Sequence, residues 1–150
     1  MKLDRLRKAD KKRVKEFLQT VYGYTLPSGY SYFVNSRHKL FMVYAGMDDL
    51  LQFKLDRVGL YLGEMNDTEF RLSFCALKLF WHMQGPAKNQ YELTKTLTEM
   101  YLRGQNIPCK NEGRAFYTLT YRHEPVAVAK AIDGTFLNYV PKAFRGEISL

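Results

Sequence analysis

Two stretches carry residue types suited to holding an anion. Residues 101–107, Tyr-Leu-Arg-Gly-Gln-Asn-Ile, end a helical pattern with Gly104 and follow it with polar side chains. A glycine lets the backbone approach a phosphate closely, and exposed backbone N–H groups beside Arg103 can hold one. Near the C-terminus, Asn138, Tyr139, Pro141, Lys142 and Arg145 combine amide, aromatic and basic groups. Such mixtures suit RNA, where stacking on aromatic rings and phosphate pairing act together. The same residues also read as an ordinary helix cap and a basic tail.

Other chemistries find no constellation. There is no Walker loop and no G-x-G-x-x-G after a strand. His38, His82 and His123 are far apart and lack zinc-ligand spacing to each other or to cysteine. Serines, histidines and acids suggest no triad. Asp48 and Asp49 have no third ligand nearby, and they read as first-turn carboxylates favoured by a helix N-terminus. Cys109 lies in a loop, and a nucleophile needs an activating base and a substrate site that the sequence does not supply. No cofactor, metal or catalytic residue is therefore expected.

The elements that position these groups are organised around residues 57–81. Val58, Leu60 and Leu62 alternate with other residues, and so do Phe70, Leu72 and Phe74 beyond Asn66, Asp67 and Thr68. Period-two alternation around an Asx-type turn predicts an antiparallel hairpin with one apolar face. Gly59 and Gly63 suggest bulges or close backbone approach. Leu77, Phe80 and Trp81 follow at helical spacing, with Ser73 as N-cap. Upstream, Val14, Phe17, Leu18 and Val21 mark an amphipathic helix over 10–22, capped by Asp10 and ended by Gly23. Its Lys11, Lys12 and Lys15 form either a solvated face or an RNA contact. Strands are expected over 30–34 and 40–44, and a short helix over 46–53.

Gln84, Gly85 and Pro86 form the natural boundary between domains at 1–86 and 87–150. Beyond it come a strand at 90–94, a helix at 96–102, a loop at 108–113 and a strand at 115–121. A turn at 122–125 leads to a strand at 126–132. Asp133-Gly134 is a strong hairpin signal, and a last strand runs to Val140. One short helix and several strands with turns every roughly 8 to 12 residues are the pattern of a small barrel.

Composition sets the outer limits. The chain has 150 residues, 46% hydrophobic and 15% aromatic, enough for a true core. No apolar run approaches the roughly 18 residues of a membrane span, and no apolar segment follows the basic N-terminus as in a secretory signal. Two cysteines, one of them (Cys75) read as a buried small hydrophobe, fit a reducing, intracellular compartment. The net charge of +8 points to an anionic partner, with RNA foremost. Residues 1–15 hold eight Lys or Arg against Asp4 and Asp10, so the remaining fifteen basic side chains face thirteen acidic ones. The body needs a local patch to bind RNA.

Several phrases, in order and spacing, carry a resemblance: KKRVKEFL, RVGLYLGEM, EFRLSFCAL, EMYLRGQNI and VAVAKAIDGTFLNYVPKAFRG. Over about residues 10–146 the chain resembles PUA-domain ribosome-biogenesis factors of the nuclear-import-protein-seven type. It is also similar to the RNA-binding tail of the Fmu/Sun family of ribosomal RNA cytosine methyltransferases. The resemblance implies an α+β chain, an N-terminal mixed α/β domain packed on a C-terminal PUA-like β-barrel. It implies an RNA surface of Arg103, Gly104, Gln105 and Asn106 with Lys142 and Arg145, and Lys130 lining the same face. Those methyltransferases use a Pro-Cys nucleophile, and Pro108-Cys109 stands here without their catalytic domain. The expected function is non-catalytic binding of structured, ribosomal RNA in ribosome biogenesis or rRNA modification. The N-terminal half would then dock a protein partner, and the location would be cytoplasmic, or nuclear or nucleolar in a eukaryote. The alternative is a protein-interaction adaptor with weak or no RNA binding.

Overall fold

The computed structural model describes residues 2–46, 59–146 and 150. The chain divides into two compact units, Met1–Gln84 and Gly85–Leu150. The expected helix over 46–53, with Asp48 and Asp49, and the expected strand position of Val58 lie outside the described residues. No helix among the described residues is long and apolar enough to cross a membrane.

Among the described residues, the first unit holds a five-stranded sheet in sequence order, with α-helices between its first two strands and after its last. Its strands are β1 (Asp4–Arg5), β2 (Tyr30–Val34), β3 (Lys39–Tyr44), β4 (Leu60–Met65) and β5 (Phe70–Leu72). Every neighbouring pair is antiparallel. The β4–β5 hairpin turns as its residues demand: the Asn66 side-chain oxygen accepts the N–H of Thr68 at 2.9 Å and of Glu69 at 2.7 Å. Leu62, Phe70 and Leu72 are buried, as the alternation requires. Phe74 instead opens helix α2 (Phe74–Gln84). Ser73 forces that change, because its hydroxyl accepts the Ala76 N–H at 3.0 Å and caps the helix.

Both hairpin glycines are sites of close approach. A Cβ on Gly59 would run into the Met42 carbonyl, and one on Gly63 into the Arg71 carbonyl and the Phe70 ring. The β3–β4 register shifts between Leu40 and Phe41, opposite Gly63 and Tyr61. In α2, Ala76, Leu77 and Phe80 face the core. That phase leaves Cys75 exposed rather than buried.

Helix α1 (Lys8–Phe17) starts before Asp10 and has no side-chain cap. Asp10 lies in its first turn, 3.0 Å from the Arg7 Nε and 3.6 Å from Arg13. A π turn, Leu18–Tyr22, closes it at Gly23, whose φ is 77°. The wider turn changes which residues face inward. Val14, Leu18 and Tyr22, four apart, are buried, while Val21 is only partly so. Aromatic contacts knit this end to the rest: Phe17 to Phe70 at 6.4 Å and Tyr24 to Phe80 at 5.6 Å.

The second unit holds β6 (Gln90–Glu92), α3 (Lys95–Leu102), β7 (Ile107–Pro108), β8 (Arg114–Tyr121), β9 (Glu124–Ile132) and β10 (Thr135–Leu137). Its sheet runs β6-β8-β9-β10-β7. β6 pairs with β8 in parallel, and the other pairs are antiparallel. The sheet curls into a half-barrel. The Tyr91 hydroxyl, on one edge strand, accepts the N–H of Lys110, just past the other edge strand, at 3.1 Å. Tyr91, Tyr117 and Phe136 pack edge to face between them. Asp133 and Gly134 take φ of 45° and 88° in the β9–β10 turn. The expected turn at 122–125 tightens to Arg122 and His123, and the last strand stops at Leu137 rather than Val140.

Candidate RNA interface

Helix α3 is built to end at Gly104. The Thr94 hydroxyl oxygen accepts the Leu97 N–H at 3.2 Å and starts the helix. Thr98 and Tyr101, one turn apart, are buried against the half-barrel. At the far end, the Gly104 N–H donates to the Tyr101 carbonyl at 3.0 Å and the Gln105 N–H to the Met100 carbonyl at 3.2 Å. With Gly104 at φ 96°, this is a Schellman ending. The Arg103 N–H donates to the Glu99 carbonyl at 3.1 Å. These three N–H groups are therefore consumed within the helix end, and the expected backbone cradle for a phosphate does not form from them.

Gly104 has a different use. A Cβ there would lie 2.5 Å from Cδ and 2.7 Å from Nε of Arg145. The arginine side chain thus lies directly on the glycine backbone. Its Nε donates to the Val140 carbonyl at 2.9 Å. With Nε tied down, the planar guanidinium still has its two terminal nitrogens, the fork that pairs with phosphate oxygens. Arg145 is exposed overall.

Asn138 welds the two stretches together. Its side-chain amide donates to the carbonyls of Tyr101 at 2.6 Å and Gln105 at 2.8 Å. Its side-chain oxygen accepts the Val140 N–H at 2.9 Å. Its own N–H donates to the Asn106 side-chain oxygen at 2.9 Å. The Tyr101 hydroxyl donates to the Leu137 carbonyl at 2.8 Å and accepts the Tyr139 N–H at 3.3 Å. This wiring draws the chain away from β7 and is why β10 ends early.

The structure therefore brings Gly104, Gln105, Asn106 and Arg145 into one cluster. Asn106 spends its oxygen on Asn138, a structural task. Arg103 stands one residue before Gly104, 3.8 Å from Glu99. Lys142 is exposed at the start of a 3-10 turn, Lys142–Phe144, that leads into Arg145. Lys130 does not join them. It is 9% exposed on β9, a central strand with both faces covered, and its Nζ lies 5.5 Å from the centre of the Phe116 ring. Its strand over 126–132 was readable from the sequence, and its place on the RNA face came from the resemblance; the covered far face could not be read from alternation.

Residues 88–146 match the methyltransferase RsmF PUA domain. The half-barrel is thus similar to the PUA domain of that methyltransferase. No curated protein matches the chain. The matched stretch contains α3, Gly104 and Arg145 together, so the cluster lies inside the PUA-like domain. Asn138 was visible in the sequence only as one amide in a mixed tail. Its role as the hub depends on contacts with residues more than thirty positions away.

Proposed function

We propose that the chain is a non-catalytic RNA-binding protein that acts in ribosome biogenesis or rRNA modification. The PUA-like domain engages structured RNA, ribosomal in the simplest case, through the phosphate backbone. The observation that carries this is Arg145, laid on Gly104 and anchored at Nε by the Val140 carbonyl. Arg103 and Lys142 flank it and add charge without fixed geometry. An anchored arginine loses less conformational freedom on pairing than a loose one. The setting is intracellular, cytoplasmic, or nuclear or nucleolar if the chain is eukaryotic, and no cofactor takes part.

A second reading rests on the first unit. A groove of about 380 Å³ runs between α1 and the β4–β5 turn, floored by Val14, Phe17 and Phe70 and rimmed by Arg13, Glu16 and Glu69. In that reading the chain is an adaptor whose first unit docks a protein, with weak RNA binding of its own.

Fluorescence anisotropy separates the two. A structured ribosomal RNA fragment and an unstructured RNA are titrated at two salt concentrations. The variants are the Arg103→Ala, Lys142→Ala, Arg145→Ala triple and a Lys2→Ala, Lys8→Ala, Lys15→Ala triple at exposed N-terminal positions. Salt-sensitive binding to the structured RNA that is lost in the triple variant supports the proposal. Loss only in the N-terminal triple variant would reduce RNA binding to a nonspecific basic surface. Absence of wild-type binding would favour the adaptor.

A further inference from the structure

Phe144 is 56% exposed, between Lys142 and the anchored Arg145. The turn that carries it is fixed at both ends. Pro141 holds φ at −57°. The Phe144 N–H donates to the Pro141 carbonyl at 2.8 Å, and the Arg145 N–H to the Lys142 carbonyl at 3.3 Å. The ring therefore stands on a rigid turn, and its backbone neighbour already presents a phosphate-pairing group. Aromatic rings stack on nucleobases, and adjacent cations take the backbone charge. A paired base keeps its faces covered by neighbours in the helix. Only an unpaired nucleotide offers a bare face and a phosphate within one nucleotide's reach.

We propose that Phe144 is a stacking platform for a single unpaired RNA base, whose phosphate is held by Arg145. This rests on the RNA-binding reading above and narrows its target to RNA with a bulged or looped nucleotide.

The test uses the full chain and two RNA hairpins of identical stem, one fully paired and one with a single-nucleotide bulge. Wild type binds the bulged hairpin on the order of tenfold more tightly, the scale of one base–aromatic stack. Phe144→Ala abolishes that preference while leaving affinity for the paired hairpin unchanged, and Phe144→Trp retains it. Arg145→Ala weakens binding to both hairpins. If Phe144→Ala weakens both equally, or neither, while wild type binds them, the stacking role is overturned. The second of those outcomes would assign the exposed ring to a protein contact. If wild type binds neither hairpin, the RNA-binding reading itself fails and the stacking role falls with it.

Discussion

Helix α1 and the turn before Arg145 are both basic, and they spend their charge in opposite ways. In α1 the cations stay at the surface, with Lys8, Lys12, Arg13 and Lys15 exposed, and several make local contacts. Arg7 pairs with Asp10. Arg13 donates to the carbonyls of Asn66 at 2.7 Å and Asp67 at 2.6 Å, which pins the helix to the β4–β5 turn. The Lys11 Nζ sits 5.0 Å from the centre of the Tyr32 ring, and Lys12 lies 4.0 Å from Glu16. Among the described residues, Arg145 hydrogen-bonds inward through its Nε alone. The segment with the largest formal charge thus spends Arg13 on the fold and leaves its other cations at the surface, whereas the nearly balanced body seats Arg145 on its own backbone. Net charge locates cations, but hydrogen-bond geometry decides which of them face a partner.

The sharpest way to break that contrast is at Gly104. Gly104→Val places a side chain at φ 96° and into Arg145. The backbone strain costs about 1–3 kcal/mol, and the guanidinium must leave its seat. Denaturant unfolding should show the loss of stability, and anisotropy a loss of RNA affinity at least as large as in Arg145→Ala. Arg145→Ala alone gives up one hydrogen bond and should lower stability by no more than about 1 kcal/mol, less than Gly104→Val. A Gly104→Val chain that binds RNA normally would sink the seat.

Arg13 gives the converse. Arg13→Ala removes two charge-assisted hydrogen bonds at a partly exposed position and should lower stability by about 1 kcal/mol. RNA affinity and its salt slope should stay as in wild type. Arg145→Ala should instead flatten the slope of log K against log salt by about 0.7–0.9, one phosphate contact. Equal slopes for the two variants would erase the distinction between them.

How much of this was legible depends on how local each cause is. The Asp133-Gly134 turn could be read because both residues adopt positive φ readily. The turn at the other end of β9 was legible at 122–125, but not its tightening to Arg122 and His123 with φ values of 50° and 64°. Its compensation is remote. The Glu92 carboxylate accepts the Arg122 N–H at 2.8 Å, the His123 N–H at 3.0 Å and the Thr120 hydroxyl at 2.9 Å. Gly104 was legible as a helix stop, but its service to Arg145 spans forty residues of chain. The π turn after α1 escaped for a related reason. A 3.6-residue period selects Val21, and the wider turn selects Tyr22. The apolar alternation of β4 and β5 and the Ser73 cap are local, and the structure follows them.

The Glu92 compensation predicts a smaller effect than the preceding variants. Glu92→Gln keeps the shape but weakens three hydrogen bonds at an exposed site, for about 0.5–1 kcal/mol. His123→Gly in the same background should recover part of it by relieving positive-φ strain. Chemical unfolding of the single and double variants checks this. If His123→Gly is equally stabilising with and without Glu92, the carboxylate does not compensate the turn.

At neutral pH the stability linked to these ionisations is fully present, and the two units should lose it at opposite ends of the scale. Burial raises the Glu92 pKa, but the His123 N–H, the Thr120 hydroxyl, the Arg122 N–H and the His123 charge outweigh it, and the net shift is downward from 4.5. A lowered folded pKa gives stability that is present above the unfolded value and lost as pH falls through the folded one. The second unit should therefore weaken in acid, below about pH 4.5. In the first unit, burial pushes Tyr24 and Tyr32 up from 10 to about 12. There the unfolded chain releases its phenolic protons first, so stability falls as pH climbs from 10 towards 12. Trp81, in α2 of the first unit, offers a fluorescence probe of that loss, and tyrosinate absorbance should rise together with the Trp81 change. Tyrosinate that titrates fully near pH 10 with Trp81 unchanged would show that these hydroxyls are not held from solvent by the core.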